Sequence, residues 1–451
     1  MKKLTTIFLL DHEFHLNQNL INLIKKMKLK RFFVTLTFIS LFLMLLVGCH
    51  KDETITLSGS LDRMNWSERN YEVLNQMIKN YGIYGKDYNQ DKAPYVILDW
   101  DQTCAYLDVE EATMHFQLFR LRFKMTKDVF ASILKDEING ITQLPAEYSS
   151  IHLADINLDL KNDYNYLFDN YVGFNGTMTL EEIQLTPQYQ DFISKIPFLY
   201  DGYCSTPGIG ADYGYSWILY LFAGYTIDEV KLLAKEAISY ELGNQLSKHT
   251  LQSPPNYETN AGVVSYSYKT GLRILPEMQD LIATFNENSI EVFIVSASYM
   301  PVVEVFSGIG NYGYNVPAQN VIAMELALDN NGKILPEYKK GWVKTQKQGK
   351  VDAINQVVKS GLGKNWDPLF SAIDSDGDYE MSTSFPDMKL TLIWNRVKGG
   401  DIGTLCHQAV DEMNNANPRY ILQGRNENIG MVIPSSESIL FGKTEPQLLF
   451  E

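Results

Sequence analysis

The strongest constraint on the fold is a short apolar run that ends at two acidic residues. Tyr95-Val-Ile-Leu98 is typical of a buried strand, and Asp99, Asp101 and the hydroxyl of Thr103 follow it directly. If the chain bends into a loop after Asp99, both carboxylates can face one small volume. Such a pair suits either a metal site or a nucleophile with its acid/base partner. A solvated acidic turn would have the same sequence.

Strands alternate with helical segments in the second half of the chain. The pattern predicts strands over 290–295, 321–324, 368–373 and 389–394, with helical periodicity between them. Alternation of this kind predicts an α/β fold, a Rossmann-like parallel sheet with helices on both faces. Ligands of such sheets bind beyond the carboxyl ends of the strands.

Polar side chains follow three of the predicted strands at this end. They are the pair Asp99 and Asp101, the serines of Val295-Ser-Ala-Ser298, and the acids of Asp374-Ser-Asp-Gly-Asp378. We therefore expect distant parts of the chain to contribute to one site.

The length of 451 residues exceeds one ordinary core, so more than one domain is expected. Residues 105–269 have mostly helical periodicity and lie between the first strand and the later ones. They are predicted to form an inserted, mostly helical cap. Residues 50–104 and 270–400 are predicted to form the core, and residues 401–451 a C-terminal extension packed on it.

The N-terminus has the features of a targeting segment. A basic stretch over 26–31 precedes an apolar stretch over 32–48, and Leu46-Val-Gly-Cys49 resembles a bacterial lipobox whose Cys49 is acylated. Residues 1–49 are thus predicted to be a signal peptide of a membrane-anchored, extracytoplasmic lipoprotein. A transmembrane anchor is the alternative reading. Met27 is an alternative start, which would make residues 1–26 an upstream extension.

The charge balance argues against one class of partner. The formal net charge is −15, and nucleic acid binding requires basic surface, so a nucleic-acid partner is not expected.

The order of the motifs resembles the haloacid dehalogenase-type phosphohydrolase superfamily. Its four motifs can be placed on Asp99-Trp-Asp-Gln-Thr103, on Ser296, on Lys350 in Gly349-Lys-Val-Asp352, and on Asp374 with Asp378. One departure is Ile373, where many members have Gly. The position of the inserted cap resembles the phosphoserine-phosphatase-like branch.

The resemblance implies a Mg²⁺-dependent phosphomonoesterase. Asp99 and Asp374 would hold Mg²⁺ with the backbone carbonyl of Asp101. Asp99 would attack phosphorus and form an aspartyl-phosphate intermediate. Asp101 would protonate the leaving oxygen and later activate water.

The resemblance also assigns the charge-stabilising groups. Ser296 and Lys350 would bind the non-bridging phosphoryl oxygens. Asp378 would orient a metal-bound water or the lysine. Lys344 and Lys347 are near enough in sequence to be alternatives to Lys350.

The substrate is predicted only as a small phosphate ester. The lipobox, the large cap and the first motif are most similar to the secreted phosphorylcholine-phosphatase type, which suggests phosphocholine. Glu111 follows the first motif at a position where it could face the quaternary ammonium group, although acids at a helix start are also ordinary. The alternative substrates are phosphoserine and a sugar phosphate. The alternative functions are phosphoryl transfer to an acceptor other than water and solute binding by a lipoprotein without turnover.

Overall fold

A six-stranded parallel sheet organises the part of the chain that the structure describes. The structure is a computed structural model that describes residues 59–450, so the predicted signal peptide with Cys49 lies outside the described residues. The strands are β1 (Tyr95–Leu98), β2 (Glu291–Tyr299), β3 (Val321–Met324), β4 (Phe370–Ile373), β5 (Leu390–Trp394) and β6 (Tyr420–Gln423). Their order in the sheet is β6-β5-β4-β1-β2-β3, and all neighbouring strands are parallel. The predicted α/β class is confirmed.

The side chains of the sheet alternate between two apolar clusters. Val96 and Leu98 of β1 belong to one cluster, whereas Tyr95 and Ile97 belong to the other. Because successive side chains of a strand point to opposite faces, the two clusters lie on the two faces of the sheet. A parallel strand covered on both faces is apolar throughout, which explains why β1 is fully buried.

Thirteen α-helices accompany the strands in residues 59–450. None of them combines the length and the hydrophobicity that a helix needs to cross a membrane. They are α1 (Glu68–Tyr81), α2 (Val109–Phe119), α3 (Lys127–Ile133), α4 (Leu153–Asn170), α5 (Leu180–Gln184), α6 (Pro187–Ser205), α7 (Gly210–Leu219), α8 (Ile227–Gly243), α9 (Pro276–Glu287), α10 (Met300–Ser307), α11 (Gln348–Ile354), α12 (Tyr379–Thr383) and α13 (Gly400–Asp411).

The segment predicted to be a cap contains helices α2 to α8 and one long antiparallel hairpin. The hairpin pairs Ser247–Gln252 with Ser265–Thr270. Where the chain leaves β1 and where it returns, Ala105–Tyr106 pairs with Arg273–Ile274. The two connections therefore run side by side. Residues 59–450 cluster as one compact unit, and the predicted boundaries within it stay predictions.

Residues 401–451 contribute to the main sheet itself. β6 pairs with β5 along its length, and α13 contacts β6. The prediction of an extension that packs on a finished core did not include this strand. Its apolar run is only Tyr420-Ile-Leu422 between two arginines, so sequence periodicity gave little signal for a strand.

Candidate active site

The loop after β1 brings two carboxylates to the carboxyl end of the sheet. The backbone N–H groups of Thr103, Cys104 and Ala105 all donate to the carbonyl of Trp100, at 3.2, 2.8 and 3.1 Å. This tight turn uses a left-handed backbone at Gln102, with φ of 64°. Asp99 is thus held at the strand end, and Asp101 lies in the turn beside it.

Asp101 is oriented by groups from two other elements. Its Oδ1 accepts a hydrogen bond from the backbone N–H of Val109 at 2.7 Å, at the start of α2. Its Oδ2 accepts one from the hydroxyl of Ser298 on β2 at 2.6 Å. The Ser296 hydroxyl is 3.5 Å from the same oxygen. Both carboxylate oxygens are therefore fixed.

Lys350 is the lysine that reaches the first motif. Its Nζ lies 2.6 Å from Oδ1 of Asp99 and 2.6 Å from Oδ1 of Asp378, and all three side chains are buried. Lys344 instead donates to the backbone carbonyl of Asp212 at 2.5 Å. Lys347 lines the neighbouring cavity. The geometry favours Lys350 among the three candidates.

Three carboxylates form a cluster that could hold a metal ion. Oxygen atoms of Asp99, Asp374 and Asp378 lie within 4.8 Å of one another. Asp378 also accepts a hydrogen bond from the backbone N–H of Asp374 at 3.3 Å, which fixes the loop after β4. The predicted residues Asp99, Asp101, Ser296, Lys350, Asp374 and Asp378 thus come together, although their roles stay predictions.

The pKa of the nucleophile candidate reflects crowding of negative charge. Burial and the charge of Asp378 raise the pKa of Asp99 to about 8, and Asp374 adds to this while Lys350 opposes it. Burial also raises the pKa of Asp378. A divalent cation among these oxygens would relieve the repulsion. Three oxygen donors in a buried cluster therefore fit Mg²⁺.

Two other carboxylates of the site differ in their charge state. Burial and Asp108 raise the pKa of Asp101 well above its ordinary value, which favours a protonated side chain. Burial acts on Asp374 in the same direction, but the positive charges of Arg396, Lys398 and Arg425 together outweigh it and lower the pKa. Nη1 of Arg396 donates a hydrogen bond to Oδ2 of Asp374. A proton donor and an ionised ligand candidate thus lie in one site.

A cavity of about 490 Å³ opens onto these groups. Its wall includes Glu111, Tyr200 and Tyr215 from the inserted segment. Glu111 also borders a second cavity of about 390 Å³, together with Tyr266 and Tyr268 of the hairpin. The structure therefore places Glu111 where both cavities meet the site.

Ser298 was named among the strand-end serines but was given no role, and Arg396 was missed from the sequence. Ser298 lines the cavity and contacts Asp101, whereas Ser296 is fully buried and accepts a hydrogen bond from the Ser298 backbone N–H at 3.1 Å. A spacing of two puts both serines on one face of a strand, a signal that the sequence contained. Arg396 lies two residues after β5, so a search for polar residues directly after the predicted strands would have identified it as well.

Two known proteins are similar to this chain. A conserved protein of unknown function from Anaerococcus prevotii has a solved structure that is 31% identical, with a TM-score of 0.76 over 86% of this chain and 99% of that one. The phosphorylcholine phosphatase of Pseudomonas aeruginosa is 23% identical over 199 residues, or 43% of this chain.

The chain is thus related to the Anaerococcus protein, which it matches along almost the whole of that chain. It spans only about half, 54%, of the Pseudomonas phosphatase, so the activity of that relative does not transfer directly. No family model matches the sequence.

Proposed function

We propose that the chain is a haloacid dehalogenase-like phosphatase that hydrolyses small phosphate monoesters in a Mg²⁺-dependent reaction. One observation carries the proposal. The carboxylate of Asp99, at the carboxyl end of a central strand, lies 2.6 Å from the ammonium group of Lys350 and within 4.8 Å of two further carboxylates. In this proposal Asp99 is the nucleophile, Lys350 is the cation that binds the phosphate, and the carboxylates are the metal ligands.

The metal requirement follows from charge. A phosphate ester repels an anionic nucleophile, and a bound Mg²⁺ supplies the positive charge that lowers this repulsion. The family resemblance implies that Asp99, Asp374 and the backbone carbonyl of Asp101 would hold the Mg²⁺ ion. The described side chains add Asp378 to this set.

The carboxylates divide the chemical work. Asp99 attacks phosphorus, and the bond to the ester oxygen breaks as an aspartyl-phosphate forms. Asp101 gives its proton to the leaving oxygen and then takes a proton from the water that cleaves the intermediate. Its raised pKa supports the first step, and the hydrogen bonds from Val109 and Ser298 hold it in position.

Charge on the phosphoryl group needs its own partners. Lys350 would bind a non-bridging oxygen, because its ammonium group lies between Asp99 and Asp378. Ser296 is assigned the same role by the family pattern. Ser298 lines the cavity, so we expect its hydroxyl to assist Ser296 in binding the phosphoryl group.

We propose phosphocholine as the first substrate to examine. A quaternary ammonium group is bound by aromatic faces and by negative charge. Tyr200 and Tyr215 offer the aromatic faces in the cavity, and Glu111 offers a carboxyl group. Burial and the charge of Asp108 raise the pKa of Glu111 to about 8, and a bound ammonium group would favour its ionised form. Similarity to a phosphorylcholine phosphatase supports the choice. Phosphoserine and sugar phosphates remain the alternative substrates.

The direct test is a panel of phosphate monoesters assayed with Mg²⁺ and with a chelator. We expect turnover of phosphocholine with Mg²⁺, loss of turnover with the chelator, and recovery when Mg²⁺ is restored. Turnover that is indifferent to the chelator would contradict the mechanism. Binding of an ester without any turnover would favour the solute-binding alternative.

A matched pair of substrates tests the role of Glu111. In 3,3-dimethylbutyl phosphate a neutral carbon replaces the ammonium nitrogen of phosphocholine at nearly constant shape. Substitution Glu111→Gln should raise KM for phosphocholine about tenfold, which corresponds to about 1.4 kcal/mol and is at the low end of what a close pair of opposite charges contributes. KM for the neutral ester should not rise. An equal change for both esters would show that Glu111 does not recognise the cation.

The location of the protein is a separate proposal. We infer that Cys49 is acylated and that the protein acts outside the cytoplasm, on the membrane surface. The sequence of residues 26–49 supports this proposal, and these residues lie outside the described part. Radiolabelled palmitate incorporation that is lost in Cys49→Ser tests it. Labelling that persists in this variant would exclude acylation at Cys49.

A further inference from the structure

The metal-ligand candidate Asp374 has a partner that neither the motifs nor the proposed mechanism uses. Nη1 of Arg396 donates to its Oδ2, and the side chain of Arg396 is only 22% exposed. The Nε of Arg396 has no hydrogen-bond partner within residues 59–450. The guanidinium is thus committed to Asp374 rather than shared among many acceptors.

The turn that carries Arg396 is rigid. The side-chain amide of Asn395 donates to the carbonyls of Ser436 and Leu448 at 2.8 and 2.7 Å, and its oxygen accepts from the backbone N–H of Val397 at 2.9 Å. Val397 has φ of 51°, a left-handed conformation that costs a β-branched residue about 1–3 kcal/mol. Such strain persists only where the surroundings determine the backbone, so Arg396 starts from a fixed position.

The contact distinguishes the two oxygens of Asp374. Arg396 occupies Oδ2, whereas Oδ1 lies 3.5 Å from the hydroxyl of Thr103 in the same loop as Asp99. Oδ1 is therefore the atom on the side of the first motif. One oxygen of Asp374 lies within 4.8 Å of oxygens of Asp99 and Asp378, and Oδ1 is the one that Arg396 leaves for a cation in this cluster.

We propose that Arg396 is a positioning residue of the metal site, which holds Oδ2 of Asp374 so that Oδ1 is presented to the cation. This inference rests on the proposed Mg²⁺-dependent function. The opposite possibility is that Arg396 is a counter-ion that competes with the metal. The two roles predict opposite changes in metal affinity, because removal of a positioning group weakens binding and removal of a competing charge strengthens it.

Calorimetric titration of purified full-length protein with MgCl₂ tests the proposal. Arg396→Met should weaken Mg²⁺ binding about 10–100-fold, the usual effect of removing a group that orients a metal ligand. Lys398→Met is the matched control, because Lys398 lines the same cavity from the same turn but makes no hydrogen bond to the three carboxylates. It should not weaken binding. Unchanged or tighter binding in Arg396→Met overturns the proposal, as does equal weakening in both variants.

Two further readouts complete the test. The hydrolytic activity lost in Arg396→Met should return when Mg²⁺ is raised by the same factor as the loss in affinity, whereas general damage to the fold would not respond. If Arg396→Met does not fold, Arg396→Lys is compared with wild type instead. We expect it to lose Mg²⁺ affinity as well, but by a smaller factor. Wild-type protein that binds no Mg²⁺ would overturn the proposed function together with this inference. Weakened activity with unchanged Mg²⁺ affinity would overturn this inference alone.

Discussion

Two fully buried lysines each bridge two aspartates, one in the candidate active site and one in the inserted segment. Lys350 contacts Asp99 and Asp378, both at 2.6 Å. Lys195 contacts Asp159 at 2.8 Å and Asp191 at 2.6 Å, and none of these side chains is more than 2% exposed. Burial and ion pairing therefore do not by themselves identify a catalytic site.

The difference lies in what the remaining oxygens face. In the inserted segment Asp159 accepts three hydrogen bonds of 2.8 Å from Asn260 and Ala261, so the cluster fastens the loop of the hairpin to helix α4. Near Lys350 the carboxylates of Asp99 and Asp378 line an open cavity. One cluster is closed by the protein, whereas the other leaves its oxygens for a metal and a substrate.

The largest expected effect is a loss of activity that distinguishes the aspartates beside Lys350 from those beside Lys195. Asp99→Asn should lower phosphatase activity at least about 10⁴-fold, because a neutral amide cannot act as the nucleophile. Its thermal stability should be kept or increased, since one of three crowded charges is removed. Asp159→Asn should show the reverse, with lower stability and near-normal kcat. Wild-type turnover by Asp99→Asn would remove the proposed mechanism.

The second prediction concerns stability in the inserted segment. Lys195→Met leaves Asp159 and Asp191 buried without their cation, and should cost about 3–5 kcal/mol in the free energy of unfolding. Urea denaturation measures this loss, and the folded fraction should keep its kcat. A loss below about 1 kcal/mol would show that the cluster is not needed to fasten the hairpin loop.

The third prediction uses Mg²⁺ to sharpen the contrast. Lys350→Met should also be destabilised, but Mg²⁺ can partly replace the lost positive charge beside Asp99 and Asp378. A ligand at about 100 times its Kd adds about 2.7 kcal/mol to stability. We expect Mg²⁺ to reduce the Tm deficit of Lys350→Met relative to wild type and to leave that of Lys195→Met unchanged. Equal deficits with and without Mg²⁺ in both variants would show that Mg²⁺ does not replace the lysine charge beside Asp99 and Asp378.

The smallest expected effect is a pH dependence in the inserted segment. Burial and the neighbouring Asp191 raise the pKa of Asp163 to about 9. The folded protein therefore keeps a proton that the unfolded chain releases, which stabilises it at low pH. This contribution is lost as pH rises toward 9, by up to about 1.4 kcal/mol per pH unit.

Asp163→Asn cannot lose this proton, so its stability relative to wild type should increase with pH. Denaturation at several values between pH 6 and pH 8 measures the slope of this difference. A difference that is independent of pH would show that Asp163 is ionised in the folded protein.

Much of the fold could be predicted from local sequence. The strand of Tyr95–Leu98 and that of Val321–Met324 have the predicted bounds, because each is an uninterrupted apolar run next to polar residues. The boundaries of other elements moved by a few residues. β6 was missed, since its pairing with β5 depends on contacts that are distant in sequence and its own apolar run is short.

The candidate site, like the fold, could be predicted from the sequence only in part. The sequence by itself determined which carboxylates and serines follow the apolar strand runs, because such runs predict strands, and the family resemblance added Lys350. Only the tertiary structure decided that Lys350 rather than Lys344 contacts Asp99, that Ser298 orients Asp101 and that Arg396 holds Asp374. The physical reason is that hydrogen bonds and ion pairs depend on distances of about 3 Å between side chains. Packing sets such distances across hundreds of residues, and sequence periodicity does not contain them.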